Sequence, residues 1–324
     1  MTYKPPAKLV IPLLLAVVAV HARAQEVFPS RPIKIVVPYA PGGLPDTVAR
    51  VLSEQMQAEL KQPVIVDNKP GGGGSSAVSV VRQSPADGYT LLMSDGPLLS
   101  VSPLIIANIS YNVARDLDPV SLIGVAPLFL VANASVPFST MQEFIDYAKK
   151  NPGKLNYGSS GIGSIHHLTA EAMNHALGIE VRHVPFKGSS ASVPAMISNQ
   201  VEVTFASPPS LMGFVSNGRA KILATNTLHR SALEPSVPAI SEYATGFDFA
   251  FTVVALSRKE TPEAIRVRLS DSIQKAIAHP ATQEKLIKAG VEPLGGGPKE
   301  LQLAMQEEEK RVVQAARIAK LQSN

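Results

Sequence analysis

Three times in this chain a short apolar run ends in a glycine- or serine-rich loop, and a helix-like segment follows at once. The loops are Pro38-Tyr39-Ala40-Pro41-Gly42-Gly43-Leu44-Pro45-Asp46, Gly158-Ser159-Ser160-Gly161-Ile162-Gly163-Ser164 and Pro185-Phe186-Lys187-Gly188-Ser189-Ser190. Strands that feed helices in this way build a sheet covered by helices. Each such loop also leaves a helix N-terminus open. Backbone N–H groups point outward there and the helix dipole favours negative charge, so the loops are ready sites for an anion. None of the three fits a nucleotide or catalytic motif. The first expectation is a chain that holds a carboxylate without reacting with it.

The alternation extends along most of the chain. Ile33 to Val37 reads as a buried strand and Asp46 to Lys61 as an amphipathic helix, with Val48, Val51, Leu52, Met56 and Leu60 near helical spacing. Val64 to Val66 reads as a strand, Ser75 to Gln83 as a helix and Thr90 to Met93 as a strand. Further strands are expected at Leu128 to Ala132, Leu155 to Tyr157, Val181 to Val184, Val201 to Phe205, Ile222 to Thr225 and Ala250 to Leu256. Helices are expected near Thr140 to Lys150, Ser164 to Leu177 and Ala191 to Asn199. The tail reads as three helices, each opened by a proline at Pro262, Pro280 or Pro298, a residue favoured in a first helical turn. A βαβ rhythm of this kind argues for α/β architecture with largely parallel sheets.

The first 24 residues stand apart. Lys4 and Lys8 form a basic start, Leu9 to Val20 an apolar run, and Ala22-Arg23-Ala24 a small-residue cleavage site, the pattern of an export signal. The apolar run is shorter than the roughly 20 residues a bilayer span needs. The formal charge of +4 is largely this segment's, because its removal leaves 27 basic against 26 acidic groups. Near-neutral charge, with no tryptophan and no aromatic residues among basic clusters, gives no case for nucleic acid. The chain has no cysteine, so neither disulfides nor a lipid-modified cysteine hold it.

Reactive patterns are sparse. Gly158-Ser159-Ser160-Gly161-Ile162 puts isoleucine where a nucleophile elbow needs glycine, and Ser272 to Lys275 is a bare S-x-x-K in a helix. Gly71 to Gly74 lacks the Lys-Ser/Thr ending of a phosphate loop. Four of seven histidines fall between 166 and 183, and His167, Glu171 and His175 share roughly one helical face. A zinc site would want a further nitrogen or sulfur ligand, so no metal is expected. Asp46 sits in a first helical turn, where a carboxylate is favourable on dipole grounds. It can equally order the Pro41-Gly42-Gly43 loop or receive a ligand's amino or hydroxyl group. Lys187 is either a solvated lysine or a cation facing an anion at the Gly188 helix start. Ser164 reads as an N-cap.

Taken in order, these segments resemble the Bug family, the extracytoplasmic solute-binding proteins of tripartite tricarboxylate transporters. The resemblance is carried by Phe28-Pro29-Ser30-Arg31-Pro32-Ile33, Pro38 to Arg50, Pro85-Ala86-Asp87-Gly88-Tyr89-Thr90-Leu91, Asn156 to Ser164, His167-Leu168, Glu171, His183-Val184-Pro185-Phe186-Lys187-Gly188 and Gln200-Val201. It implies a type II periplasmic-binding-protein fold of two α/β domains with a ligand cleft between them. The implied division is 25–126 with 250–324 as a discontinuous domain 1, and 127–249 as domain 2, after a signal peptide over 1–24. One lip of the implied cleft carries Tyr39, Pro41, Gly42, Gly43, Asp46, Ser94 and Asp95. The other carries Ser159, Ser160, Gly163, Ser164, His167, Lys187, Gly188, Ser189 and Ser207.

The implied role is capture of a small organic acid by cleft closure in the periplasm, by a monomer that passes it to membrane transporter subunits. No cofactor, metal or catalytic residue is expected. Two departures from the family pattern stand out: Pro70-Gly71-Gly72-Gly73-Gly74-Ser75-Ser76-Ala77 replaces a Pro-Gly-Ala-Gly-Gly-x-Ile-Gly type segment, and Ala206 follows Phe205 where an acid is common. The second favours a plain or aromatic carboxylate over an aspartate- or glutamate-type ligand. Two alternatives remain, a ligand-sensing partner of a membrane receptor and an exported serine hydrolase using Ser159 or Ser160 with His167.

Overall fold

The computed structural model describes residue 2 and residues 28–321. The signal peptide expected over 1–24 therefore lies, residue 2 apart, outside the described residues. The chain runs through β1 (Ile33–Val37), α1 (Leu44–Leu60), β2 (Val64–Asn68), α2 (Ser75–Gln83), β3 (Thr90–Asp95), α3 (Gly96–Ile105), α4 (Val113–Asp116) and β4 (Leu117–Ala126). It continues with β5 (Phe129–Asn133), α5 (Met141–Lys150), β6 (Leu155–Ser159), α6 (Ile165–Leu177), β7 (Val181–Pro185), α7 (Ser189–Ile197), β8 (Val203–Ala206), α8 (Pro208–Ser216) and β9 (Ala220–Thr225). It then returns through β10 (Phe251–Arg258), α9 (Glu263–Ala278), α10 (Pro280–Lys288), β11 (Glu292–Gly296) and α11 (Pro298–Ile318).

These strands form two sheets, one in the order β11-β4-β10-β3-β1-β2 and the other β7-β6-β8-β5-β9. The first draws on the chain before residue 127 and after 250, and the second holds every strand between. In β1, Ile33, Ile35, Val36 and Val37 are all fully buried, as a parallel strand covered on both faces requires. In α1, Val48, Leu52, Met56 and Leu60 turn inward together and bury one stripe of the helix. One cluster of buried apolar side chains runs through both sheets. At about 1.5–3 kcal/mol per fully buried Leu, Ile or Val, such a core explains how a cysteine-free chain holds together. No helix among the described residues is long and apolar enough to cross a membrane.

Five elements escape the sequence reading: α3, α4, β4, α8 and β11. α3 opens with Gly96-Pro97 and contains Pro103, so its composition signals a loop, yet Asp95 caps it by accepting from Leu98 N–H at 2.9 Å. β11 is Glu-Pro-Leu-Gly-Gly, a turn-like string. It pairs with β4 beside Gly124, where an added Cβ would meet the Glu292 carbonyl at 2.2 Å. The strand forms there because the neighbour has no side chain.

The strand directions decide where the loops meet. β1, β2 and β3 run parallel, and β3 ends at Asp95 opposite Val253 near the start of β10. The chain leaves the first sheet at Ala126 and re-enters it at the paired Phe251, at this same end. In the second sheet β6, β7 and β8 run parallel, and β8 ends at Ala206 opposite Phe129, where the chain enters. Phe129 is also opposite Thr225, where the chain leaves β9. The carboxyl ends of the parallel strands of both sheets thus face the two connecting segments, and all their loops gather at one cleft. The lips touch: a Cβ on Gly163 would lie 2.6 Å from Ile105 Cδ1 at the end of α3.

Candidate ligand cleft

The first lip is the β1–α1 loop, and Asp46 organises it. Its carboxylate accepts from Gly42 N–H at 2.8 Å, Arg50 Nε at 3.0 Å and Asn68 Nδ2 at 2.9 Å. Burial alone would raise its pKa, but the hydrogen bonds from Arg50, Gly42 and Asn68 outweigh this and lower it. Asn68 also donates to the Tyr39 carbonyl at 3.0 Å, so β2 braces the loop. Gly42 lies at φ +89°, a left-handed conformation that glycine adopts freely. Gly43 is the N-cap of α1 and offers no side chain, so Leu44 and Asp46 N–H carry no acceptor among the described residues.

The neighbouring β3–α3 junction is built differently. Asp95 caps α3 with one oxygen and accepts from Tyr39 Oη at 2.7 Å with the other. Burial raises the Asp95 pKa against these hydrogen bonds, and the Tyr39 phenol is pushed well above its ordinary value by burial and the Asp95 charge. Ser94 is fully buried within β3 and donates to the Asp95 carbonyl at 3.1 Å. Asp95 therefore braces Tyr39, and the Ser94 hydroxyl is spent on the Asp95 backbone.

The second lip starts from a strand register. Tyr157 on β6 lies directly opposite His183 on β7, and their rings stack at 4.9 Å between centroids. His167, near the start of α6, stacks on His183 at 3.9 Å between centroids. The Tyr157 hydroxyl donates to Glu171 Oε1 at 2.5 Å, one turn further along α6. Ser159 Oγ meets His183 Nε2 at 2.6 Å, and Ser160 Oγ meets His166 Nδ1 at 2.7 Å. Burial lowers the pKa of all three imidazoles, to about 4 for His166 and His183, so they are neutral at pH 7.

The turn after β6 is held in the same way. Gly163 N–H donates to His167 Nδ1 at 3.1 Å, and Ser164 caps α6 by accepting from His167 N–H at 3.3 Å. Ile165 and His166 N–H carry no acceptor among the described residues. Gly188 N–H donates to the Ser160 carbonyl at 3.2 Å, tying the β7–α7 loop to the β6–α6 loop. Gly188 caps α7 without a side chain, which leaves Ser189 and Ser190 N–H uncommitted among the described residues. Lys187 beside it is exposed. Ser207 holds the N-cap position of α8 without a side-chain cap, Pro208 and Pro209 follow with no N–H, and Ser210 N–H is taken by the Ser207 carbonyl at 3.0 Å.

Residues 48–321 match the family described as Tripartite tricarboxylate transporter family receptor. The chain belongs to this receptor family. It is 32% identical over 292 residues to the protein BugT of Bordetella pertussis, covering 89% of this chain and 90% of that one. An R. palustris protein solved with adipate is 29% identical with a TM-score of 0.78, over 90% of this chain and 98% of that one. MatC from Rhodopseudomonas palustris, solved with bound malate, is 25% identical with a TM-score of 0.69, over 90% and 100% of the two chains. The expected fold is thereby shown: the receptor is a two-domain solute-binding protein.

The receptor's geometry also sorts the alternatives. The hydrolase reading paired Ser159 or Ser160 with His167. Ser159 instead meets His183 and is fully buried, Ser160 meets His166, and His167 spends its Nδ1 on Gly163. The metal reading placed His167, Glu171 and His175 together. Glu171 is taken by Tyr157 and His175 is exposed, and no group of three metal-binding side chains exists among the described residues. His166, His183, Tyr157 and Asn68 shape the cleft without having been singled out from sequence. The run of histidines between 166 and 183 was the available signal, but their mutual stacking depends on the β6–β7 register.

Proposed function

We propose that the receptor works in the periplasm, closes its cleft on a small organic carboxylate and passes it to transporter subunits in the membrane. The observation that carries this reading is the set of uncommitted N–H groups at three helix starts. Leu44 and Asp46 belong to one lip; Ile165, His166, Ser189 and Ser190 belong to the other. Near these groups Arg50 is committed to Asp46 and the imidazoles are neutral. Recognition therefore rests on oriented N–H dipoles, with exposed Lys187 beside the α7 start as a cation that can add to them. Relatives holding adipate and malate support the ligand class.

The energetics fit reversible capture. A hydrogen bond to a charged group contributes about 1.5–3 kcal/mol, and four of them give roughly 6–12 kcal/mol before association costs. Micromolar affinity needs about 8 kcal/mol. A ligand bonded by both lips is fully bonded only when they are closed, so it shifts the open–closed equilibrium. Ala206 at the end of β8 is fully buried among apolar side chains, and an apolar residue at the position where the resemblance implies an acid supports a plain or aromatic ligand acid. A thermal-shift screen of residues 25–324 against mono-, di- and tricarboxylates, aromatic acids, amino acids and neutral sugars tests the reading. An acid should raise the midpoint by mass action. Stabilisation by a neutral sugar and by no acid would overturn it.

A further inference from the structure

The two segments that join the sheets are knotted together by one residue. Leu128 N–H donates to Asn226 Oδ1 at 2.8 Å, and the Leu128 carbonyl accepts from Asn226 N–H at 3.0 Å. On the other side Asn226 Nδ2 donates to the Phe249 carbonyl at 2.7 Å, and Phe249 N–H donates to the Asn226 carbonyl at 2.7 Å. Asn226 is fully buried. Its amide can satisfy both neighbours in one orientation only, with oxygen toward the N–H and nitrogen toward the carbonyl. Asn226 follows directly on β9, so the knot travels with the second sheet. The last rung of the first sheet is Ala126 with Phe251.

Between that rung and the knot, a single residue remains on each crossing: Pro127 on the outward one and Ala250 on the return. Pro127 has no N–H to pin it, and Ala250 N–H reaches only Asp248 Oδ1, at 3.4 Å. The return segment is anchored on the first-sheet side by Glu308 of α11 with Thr252 Oγ1 at 2.7 Å, while Arg311 of the same helix reaches across the hinge to Asp248 at 3.2 Å. We infer that Pro127 and Ala250 are the paired hinge of the receptor, and that Asn226 is the positioning residue that makes the two crossings bend together. Without the side chain two of the four hydrogen bonds are lost, the crossings are coupled only through the Asn226 backbone, and the open state spreads over more domain orientations. A ligand must then collect a broader ensemble into one closed form. The effect on affinity rests on the proposed capture by closure; the geometry of the hinge does not.

The chain has no cysteine, so two introduced labels report on it cleanly. Spin labels at Ala58→Cys on α1 and Lys150→Cys on α5 give the inter-domain distance distribution with and without adipate. Without ligand, Asn226→Leu is expected to widen that distribution about twofold, and Asn226→Asp, which keeps the acceptor for Leu128 but opposes the Phe249 carbonyl, by less. Pro127→Gly widens it with the pin intact, and stands in should Asn226→Leu fail to fold. Adipate affinity falls about tenfold in Asn226→Leu. A wild-type distance distribution in Asn226→Leu, or in Pro127→Gly, overturns the hinge assignment whatever happens to stability. If adipate leaves the unmodified protein's distribution unchanged, the proposed ligand class is weakened, while the ligand-free widths still decide the role of Asn226.

Discussion

His183 lies face to face with His167, ring centroids 3.9 Å apart and planes 11° apart, while its Nε2 meets buried Ser159 at 2.6 Å. Two imidazoles in that arrangement are compatible only if they are not both charged. Burial, and for His183 the proximity of His167, holds their pKa values below the ordinary range, to about 4 for His183. The unfolded chain takes up these protons at about pH 6.5. Stability is therefore complete above that pH and is lost as the pH falls through about 6.5 toward 4. A His183→Phe variant keeps a stacked ring without the titrating group. Urea unfolding at pH 7.5 and 4.5 is expected to show a smaller loss in the variant than in the wild type, and an equal loss would contradict the assignment.

Asp46 is expected to act on binding through the loop it organises. Asp46→Ala removes the acceptor of Gly42 N–H, Arg50 and Asn68 at once. A stability loss of about 1–3 kcal/mol follows from orphaned partners. Carboxylate affinity measured by calorimetry should fall at least tenfold while the protein remains folded. Unchanged affinity would detach this loop from the site.

The adjacent glycines of the same loop are expected to respond differently. Gly42 needs φ +89°, so Gly42→Ala should cost about 1–2 kcal/mol of stability and weaken binding. Gly43 has φ −69°, and a Cβ there meets Tyr39 Cβ at an ordinary 3.4 Å. Gly43→Ala should be nearly neutral in thermal unfolding. A larger cost at 43 than at 42 would show that the loop is not held in this conformation.

Glu308 gives the opposite pH signature to the histidines. It is 3% exposed, its Oε2 accepts from Thr252 N–H at 2.9 Å, and its Oε1 has no partner. Burial, with the nearby Asp95 charge, pushes its pKa from about 4.5 to about 7. An acid with a raised folded-state pKa binds its proton more tightly in the folded form. Its ionisation therefore erodes stability progressively as pH rises from about 4.5 to 7. Glu308→Gln keeps an oxygen for Thr252 and has nothing to ionise. The variant should gain stability relative to wild type at pH 8 and show little difference at pH 4.5; the reverse order would contradict it.

The parts legible in the sequence were those governed by local pattern. The α2 range of Ser75–Gln83 was read residue for residue, and β1 likewise, because apolar spacing and flanking small residues fix both. α3 and β11 were not legible, since Gly96-Pro97 and Glu292-Pro293 signal turns and only tertiary partners make them a helix and a strand. The three loops were found from their small residues. What fills them is set across the fold: the His167–His183 stack depends on Tyr157 being in register with His183, and the role of Asn226 depends on two segments meeting. No sequence spacing encodes either.

The central claim is that one carboxylate is gripped by helix starts on both lips. Amide N–H chemical shifts of an isotope-labelled sample, recorded during titration with adipate and with the best acid of the thermal screen, read those groups directly. The account predicts that Leu44 and Asp46 shift together with Ile165, Ser189 and Ser190 along one saturation curve, the N–H protons moving downfield as they gain a charged acceptor. Shifts confined to one lip, or a saturating ligand that leaves all of these amides in place, would contradict it.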